Sequence, residues 1–128
     1  MRILLDTHAL IWWFTDDPQL SDSARTLIAD PRNEILVSSA CAWEIATKVR
    51  LGKLDVALGV IEAYADLIAA DGFIHWPVNH RHALRAGGYT QAHRDPFDRM
   101  LAAQAELDGL LLLTADAAFA DFPVKTRW

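Results

Sequence analysis

The stretch RILLDTHALIWWF, residues 2–14, decides the fold. Residues 2–5 are a short run that stops abruptly at Asp6, which reads as a buried strand. Residues 7–14 follow as a helix, ended by the loop TDDP at 15–18. An acid therefore stands at the carboxyl end of a buried strand, where the chain turns into a helix.

The same alternation recurs from end to end. LSDSARTLIAD (20–30) predicts a helix with Ser21 as its N-cap. EILVSS (34–39) is apolar before its serines and reads as the second strand. A helix over 40–51 stops at Gly52, and one continuous helix covers 55–71, with Gly72 after it. FIHWP (73–77) is the third strand and NHRHALRAG (79–87) a short helix capped by Asn79. HRDPFDRMLAAQA (93–105) opens a helix running to about Leu107. LLLL (110–113) is a fourth strand, 115–119 a helical turn and 123–126 an edge strand. Strands alternating with helices argue for a parallel sheet of four or five strands covered by helices on both faces, a three-layer α/β/α domain.

Composition sets the outer limits. With 128 residues, 52% apolar and 23% charged, the chain suits one domain over 1–128 with a real core. It contains no linker tract and no internal repeat. The lone Cys41 cannot form an internal disulfide, and no run reaches the roughly 20 apolar residues of a membrane span. Asp6 and His8 break the N-terminal apolar run, so it does not read as a targeting signal. A soluble cytoplasmic protein is the expectation. The net charge of −5 argues against nucleic acid, unless the acids gather around bound cations.

In a parallel sheet, ligands bind at the carboxyl ends of the strands. Asp6 ends the first strand, Glu44 lies about one and a half turns into the helix after the second, and Asp116 follows the fourth by two residues. Asp98 joins them from a helix N-terminus. Each acid also has a plainer explanation. Asp6 and Asp116 can be helix caps. Glu44 can pair with Lys48 four residues on, although it lies only about 60° from the stripe of Cys41, Ile45 and Val49, a boundary position. Asp95 before Pro96 fits an N-cap, and Asp98 three residues later can close a capping box. Asp95 then acts as cap, with Asp98 as ligand, or reaches the metal as well. Thr114 either serves the site or satisfies a strand end.

Other residues say less. His8, His75, His80, His82 and His93 match no zinc spacing and read as surface or satisfied-core groups. Trp12, Trp13, Phe14 and Trp43 read as core, although Trp12 and Trp13 point about 100° apart and one can mark a partner surface. Arg50, Arg94 and Arg99 are candidates to hold a phosphate backbone, with solvated surface as the alternative.

Several carboxylates without balancing cations raise one another's pKa, and oxygen-only ligands suit Mg²⁺ or Mn²⁺ rather than zinc. Such ions activate water and stabilise a leaving oxygen in phosphodiester hydrolysis. The blocks LLDTHALIWW, SSACAWEIATKVRLGKL, HRDPFDRMLAAQA and LLLTADAAF resemble those of PIN-domain ribonucleases, specifically VapC toxins of toxin–antitoxin pairs. The resemblance covers nearly the whole chain. It implies a PIN-like fold, Mg²⁺- or Mn²⁺-dependent endoribonuclease activity, homodimers and neutralisation by a VapB-type antitoxin. It also places the acidic quartet on Asp6, Glu44, Asp98 and Asp116. In-line attack by an activated water would leave 5′-phosphate and 3′-hydroxyl ends.

Two rivals stand beside this reading. One is a non-catalytic acidic domain that binds a cation or a basic peptide. The other is a phospho-acceptor domain, which needs an acidic pair directly after the first strand. Here Thr7 follows Asp6, and the pair Asp16–Asp17 lies beyond the helix.

Overall fold

The computed structural model describes residues 1–128, the side chain of Val56 excepted. Five strands form one sheet: β1 (Arg2–Leu5), β2 (Glu34–Ser38), β3 (Ile74–Trp76), β4 (Leu111–Leu113) and β5 (Thr126–Arg127). Their order is β3-β2-β1-β4-β5, and every neighbouring pair is parallel. The expected parallel sheet is present, with five strands.

Burial follows from this order. Central β1 is flanked by β2 and β4, and Ile3, Leu4, Leu5, Leu36, Leu112 and Leu113 are inaccessible to solvent. A parallel strand covered on both faces needs such a continuous apolar run. The outer β3 keeps Ile74 and His75 exposed, and β5 is exposed throughout.

The principal helices are α1 (Thr7–Phe14), α2 (Asp22–Ala29), α3 (Ser39–Arg50), α4 (Leu58–Glu62), α5 (Tyr64–Ala70), α6 (His80–Gly88) and α7 (Pro96–Asp108). Their ends obey local chemistry. The Ser21 hydroxyl accepts from Ala24 N–H, and Asn79 with His82 forms a capping box at α6. Gly52, Gly72 and Gly109 take positive φ after α3, α5 and α7.

One helix expectation fails. The stretch 55–71 is a 3₁₀ turn at Asp55–Ala57 followed by α4 and α5, with Ala63 at φ −108° between them. No proline or glycine marks that break, so the apolar periodicity had no reason to show it. Both Val60 and Ile68 are buried by the two short helices.

His82 is a satisfied core group, as expected. Its Nδ1 accepts from Asn79 N–H, which leaves Nε2 to donate to Asp108 at 2.7 Å. Asp108 also accepts from Trp76 Nε1 at 2.8 Å, so one carboxylate joins β3, α6 and the end of α7. Among the described residues, no helix is long and apolar enough to cross a membrane.

Candidate active site

The strand order reverses at β1, with β2 and β3 on one side and β4 and β5 on the other. In open parallel sheets the crevice at such a switch point is where ligands bind. Asp6 leaves β1 there, its backbone N–H donating to Leu113 O of β4 at 3.1 Å. One carboxylate oxygen caps α1 by accepting from Ala9 N–H at 2.7 Å, and the other accepts from the Thr114 hydroxyl. Thr114 Oγ1 accepts in turn from Asp116 N–H at 3.0 Å. The cap reading of Asp6 is therefore correct, yet it leaves a charge 6% exposed behind a central strand. Burial raises the Asp6 pKa, and the charge of Glu44 adds to the rise; Thr114, Ala9 and His8 oppose it.

Glu44 arrives from the neighbouring strand. Ser38 ends β2 and caps α3, accepting from Ala40 N–H at 3.0 Å. Glu44 was expected at a boundary, but it is 2% exposed. The reason is that α3 packs against both α1 and α7, so its buried face is wider than one stripe. The Thr7 hydroxyl, 37 positions away, donates to Oε1 at 2.5 Å, and Lys48 Nζ bonds Oε2. The expected Glu44–Lys48 pair is thus real, but it is an inward pair rather than a surface one.

Asp95 caps α7, accepting from Phe97 and Asp98 N–H at 2.9 and 3.1 Å, with Pro96 at the first helical position. Asp98 does not return a capping-box bond to the Asp95 N–H. Its Oδ2 lies 2.9 Å from His93 Nε2 instead. Burial first, then the charges of Asp95 and Glu44, push the Asp98 carboxyl up to about 6 despite His93.

This shift has a measurable sign. A raised folded-state pKa means that the folded chain holds the proton longer than the unfolded one. Stability conferred by the neutral form is complete below about 4 and is lost as pH rises towards about 6. At 1.36 kcal/mol per pKa unit, Asp98 accounts for at most about 3 kcal/mol. Urea unfolding in chelator should show the parent losing stability relative to Asp98→Asn between pH 4 and 7. Parallel pH curves for the two proteins would contradict this.

Asp116 is the outlier of the quartet. It is exposed and caps the 3₁₀ turn Ala117–Asp121, accepting from Ala118 N–H at 2.9 Å. With Asp6, His8, Trp12 and Ala115 it lines a cleft of about 270 Å³. Asp6 and Glu44 lie within electrostatic reach of each other, as do Glu44, Asp95 and Asp98. Their carboxylates are not drawn together, however. Among the described residues, no three of His, Cys, Asp or Glu are placed to hold a metal ion. Each acid is occupied by its own partner: Thr114, Thr7 with Lys48, His93, or a backbone N–H.

The donor chemistry nevertheless suits a hard divalent cation. Charges at this rim are felt even by the enclosed Cys41 thiol, which burial chiefly, aided by Asp6 and Glu44, pushes up to about 12. A cation would offset that mutual repulsion, and oxygen-only ligands favour Mg²⁺ or Mn²⁺.

Sequence reasoning missed several groups here. Thr7 and His93 hold the acids, and nothing in a sequence announces a contact across 37 residues. Thr114, left open, both bonds the Asp6 carboxylate and accepts the Asp116 N–H beyond the strand end. Trp43 was expected in the core but is 62% exposed. It meets Phe97 edge-on at 4.7 Å beside a small apolar hollow formed with Val78, Pro96 and Met100. Adjacent to inward Glu44 on a helix, it has to point elsewhere. Trp12 and Trp13 are both half-buried.

Comparisons with known proteins agree with this architecture. A 69-residue stretch is 38% identical to Ribonuclease VapC16 of Mycobacterium tuberculosis (strain ATCC 25618 / H37Rv), covering 52% of this chain and 49% of that protein. The chain thus matches about half the length of that curated relative. A structure of VapBC2 from Rickettsia felis bound to a promoter DNA fragment superposes with a TM-score of 0.64 at 15% identity, covering 99% of this chain and 98% of the other. FitAcB from Neisseria gonorrhoeae gives 0.65 at 21%, covering 97% and 95%. At these identities the structures show a shared fold. The PIN domain family model matches residues 3–125, and the chain belongs to the PIN domain family.

Proposed function

We propose that this chain, acting as a single PIN domain over residues 1–128, is a divalent-metal-dependent endoribonuclease and the toxin of a toxin–antitoxin pair. The observation that carries the reading is the burial of Asp6 and Glu44. One carboxylate just after β1 and one from α3, the helix that follows β2, are kept inside near the switch point, where burial raises the pKa of Asp6. Capping and pairing satisfy these acids, but a neutral polar cap would serve the fold at lower cost, whereas buried carboxylates suit a cation site. Asp6, Glu44, Asp98 and Asp116 would hold Mg²⁺ or Mn²⁺, with Asp95 fixing the start of α7. When bound, the ion would supply positive charge to a scissile phosphodiester and ease deprotonation of a water. The chain's own groups keep these acids oriented: Thr114 holds Asp6, Thr7 holds Glu44 and His93 holds Asp98.

Homology to a ribonuclease named VapC16, and a fold shared with VapBC structures, support an RNA substrate and a VapB-type antitoxin partner. Homodimerisation belongs to the same reading. Incubating the protein with cellular RNA across a Mg²⁺ series and mapping fragment ends tests it. Cleavage should need the ion and yield 5′-phosphate and 3′-hydroxyl termini. Intact RNA at every metal concentration would favour a binding domain instead.

A further inference from the structure

Among the described residues, Lys48 is the one lysine or arginine bonded to an acid of the quartet. It lies one turn beyond Glu44 on α3, with its side chain about a quarter exposed while that of Glu44 is nearly inaccessible. The two oxygens of Glu44 are shared out, Oε1 to Thr7 and Oε2 to Lys48. The charges of Asp95 and Asp98, from the start of α7, also act on the ammonium. One flexible side chain therefore offsets negative charge contributed by two helices, and its partial exposure gives it a route outward.

We propose that Lys48 is the resident counter-charge of this site, occupying Glu44 when no divalent ion is bound and competing with that ion for it. This rests on the metal-site reading above and adds regulation to it: the lysine sets how much Mg²⁺ the site needs. The competition follows from Coulomb's law. An ammonium next to Glu44 stabilises the metal-free form and repels an incoming dication, so both effects weaken ion binding. An ordinary surface pair would do neither, because solvent screens it.

Thermal melts across a Mg²⁺ series, without RNA, test the proposal. Lys48→Met removes both charge and bond, while Lys48→Gln removes the charge but keeps an N–H donor. Both should melt lower than the parent in chelator and reach half-maximal stabilisation at roughly tenfold less Mg²⁺. Lys48→Arg should stay within about twofold of the parent midpoint. Midpoints in the Met and Gln proteins equal to or above the parent's overturn the proposal, because a merely structural pair lowers stability without shifting the midpoint downwards. Asp6→Asn separates the two layers of inference. If it loses the Mg²⁺ response while the lysine variants show no shift, only the role of Lys48 fails. If it responds like the parent, the acidic site itself is misassigned and the role of Lys48 falls with it.

Discussion

Asp6→Asn should reduce RNA cleavage by on the order of 10²–10³-fold or more, yet melt no lower than the parent in chelator. The two halves of this result come from the same geometry. Asparagine is as good an N-cap as aspartate, so the bond from Ala9 N–H survives. The second oxygen becomes an amide donor facing Thr114, whose hydroxyl has two lone pairs and currently accepts one N–H, from Asp116. The Thr114 proton loses this acceptor, a cost of at least about 1 kcal/mol that works against the relief of buried charge. The negative charge disappears, along with the cost of keeping it buried near Glu44. Metal-free stability should therefore stay level or rise, while a ligand is lost. Product accumulation and melts on one preparation check both halves. Parental cleavage would remove Asp6 from the site, and a large fall in melting temperature would show that its charge serves the fold.

This division between structure and chemistry explains what was legible in the sequence. Strand β1, the Asp6 cap, Ser21, Asn79 and the Asp95–Pro96 helix start were readable because each depends on residues within four positions. A parallel sheet of four or five strands followed from alternation and from continuous apolar runs, but the order of its strands did not. The depth of Glu44 was not readable, since it depends on α1 and α7 closing over α3. Nor was the break at Ala63, where short helices bury Val60 and Ile68 without any local breaker. The acids were singled out by type and by position, just after strands or early in helices. Thr7, Thr114 and His93, which hold them, belong to residue types too common to signal anything alone.

Arg99 shows how a residue of the right type can be read for the wrong purpose. As a conspicuous cation one position after Asp98, it was a candidate to grip an RNA backbone. The structure turns it inward, to the last turn of α6 and the segment between α6 and α7. Its Nε donates to Ala86 O at 2.8 Å, one terminal nitrogen to Gln91 and His93 O at 3.1 and 2.9 Å, and the other to Tyr89 and Gly87 O at 2.7 and 3.5 Å. The guanidinium also sits 5.9 Å from the centre of the Tyr89 ring. A planar fork with five N–H groups is the only side chain able to serve so many carbonyls. Arg99→Ala should therefore destabilise the protein by about 2–4 kcal/mol, since water can replace only the outer bonds. That corresponds to a melting temperature lower by roughly 10 °C. Arg99→Lys should recover less than half of the loss, because three ammonium donors cannot span the same carbonyls. Cleavage should fall with it, as the same segment presents His93 to Asp98. Should Arg99→Ala instead melt like the parent and only weaken RNA binding, with a shallower salt dependence, the arginine would be a phosphate contact after all.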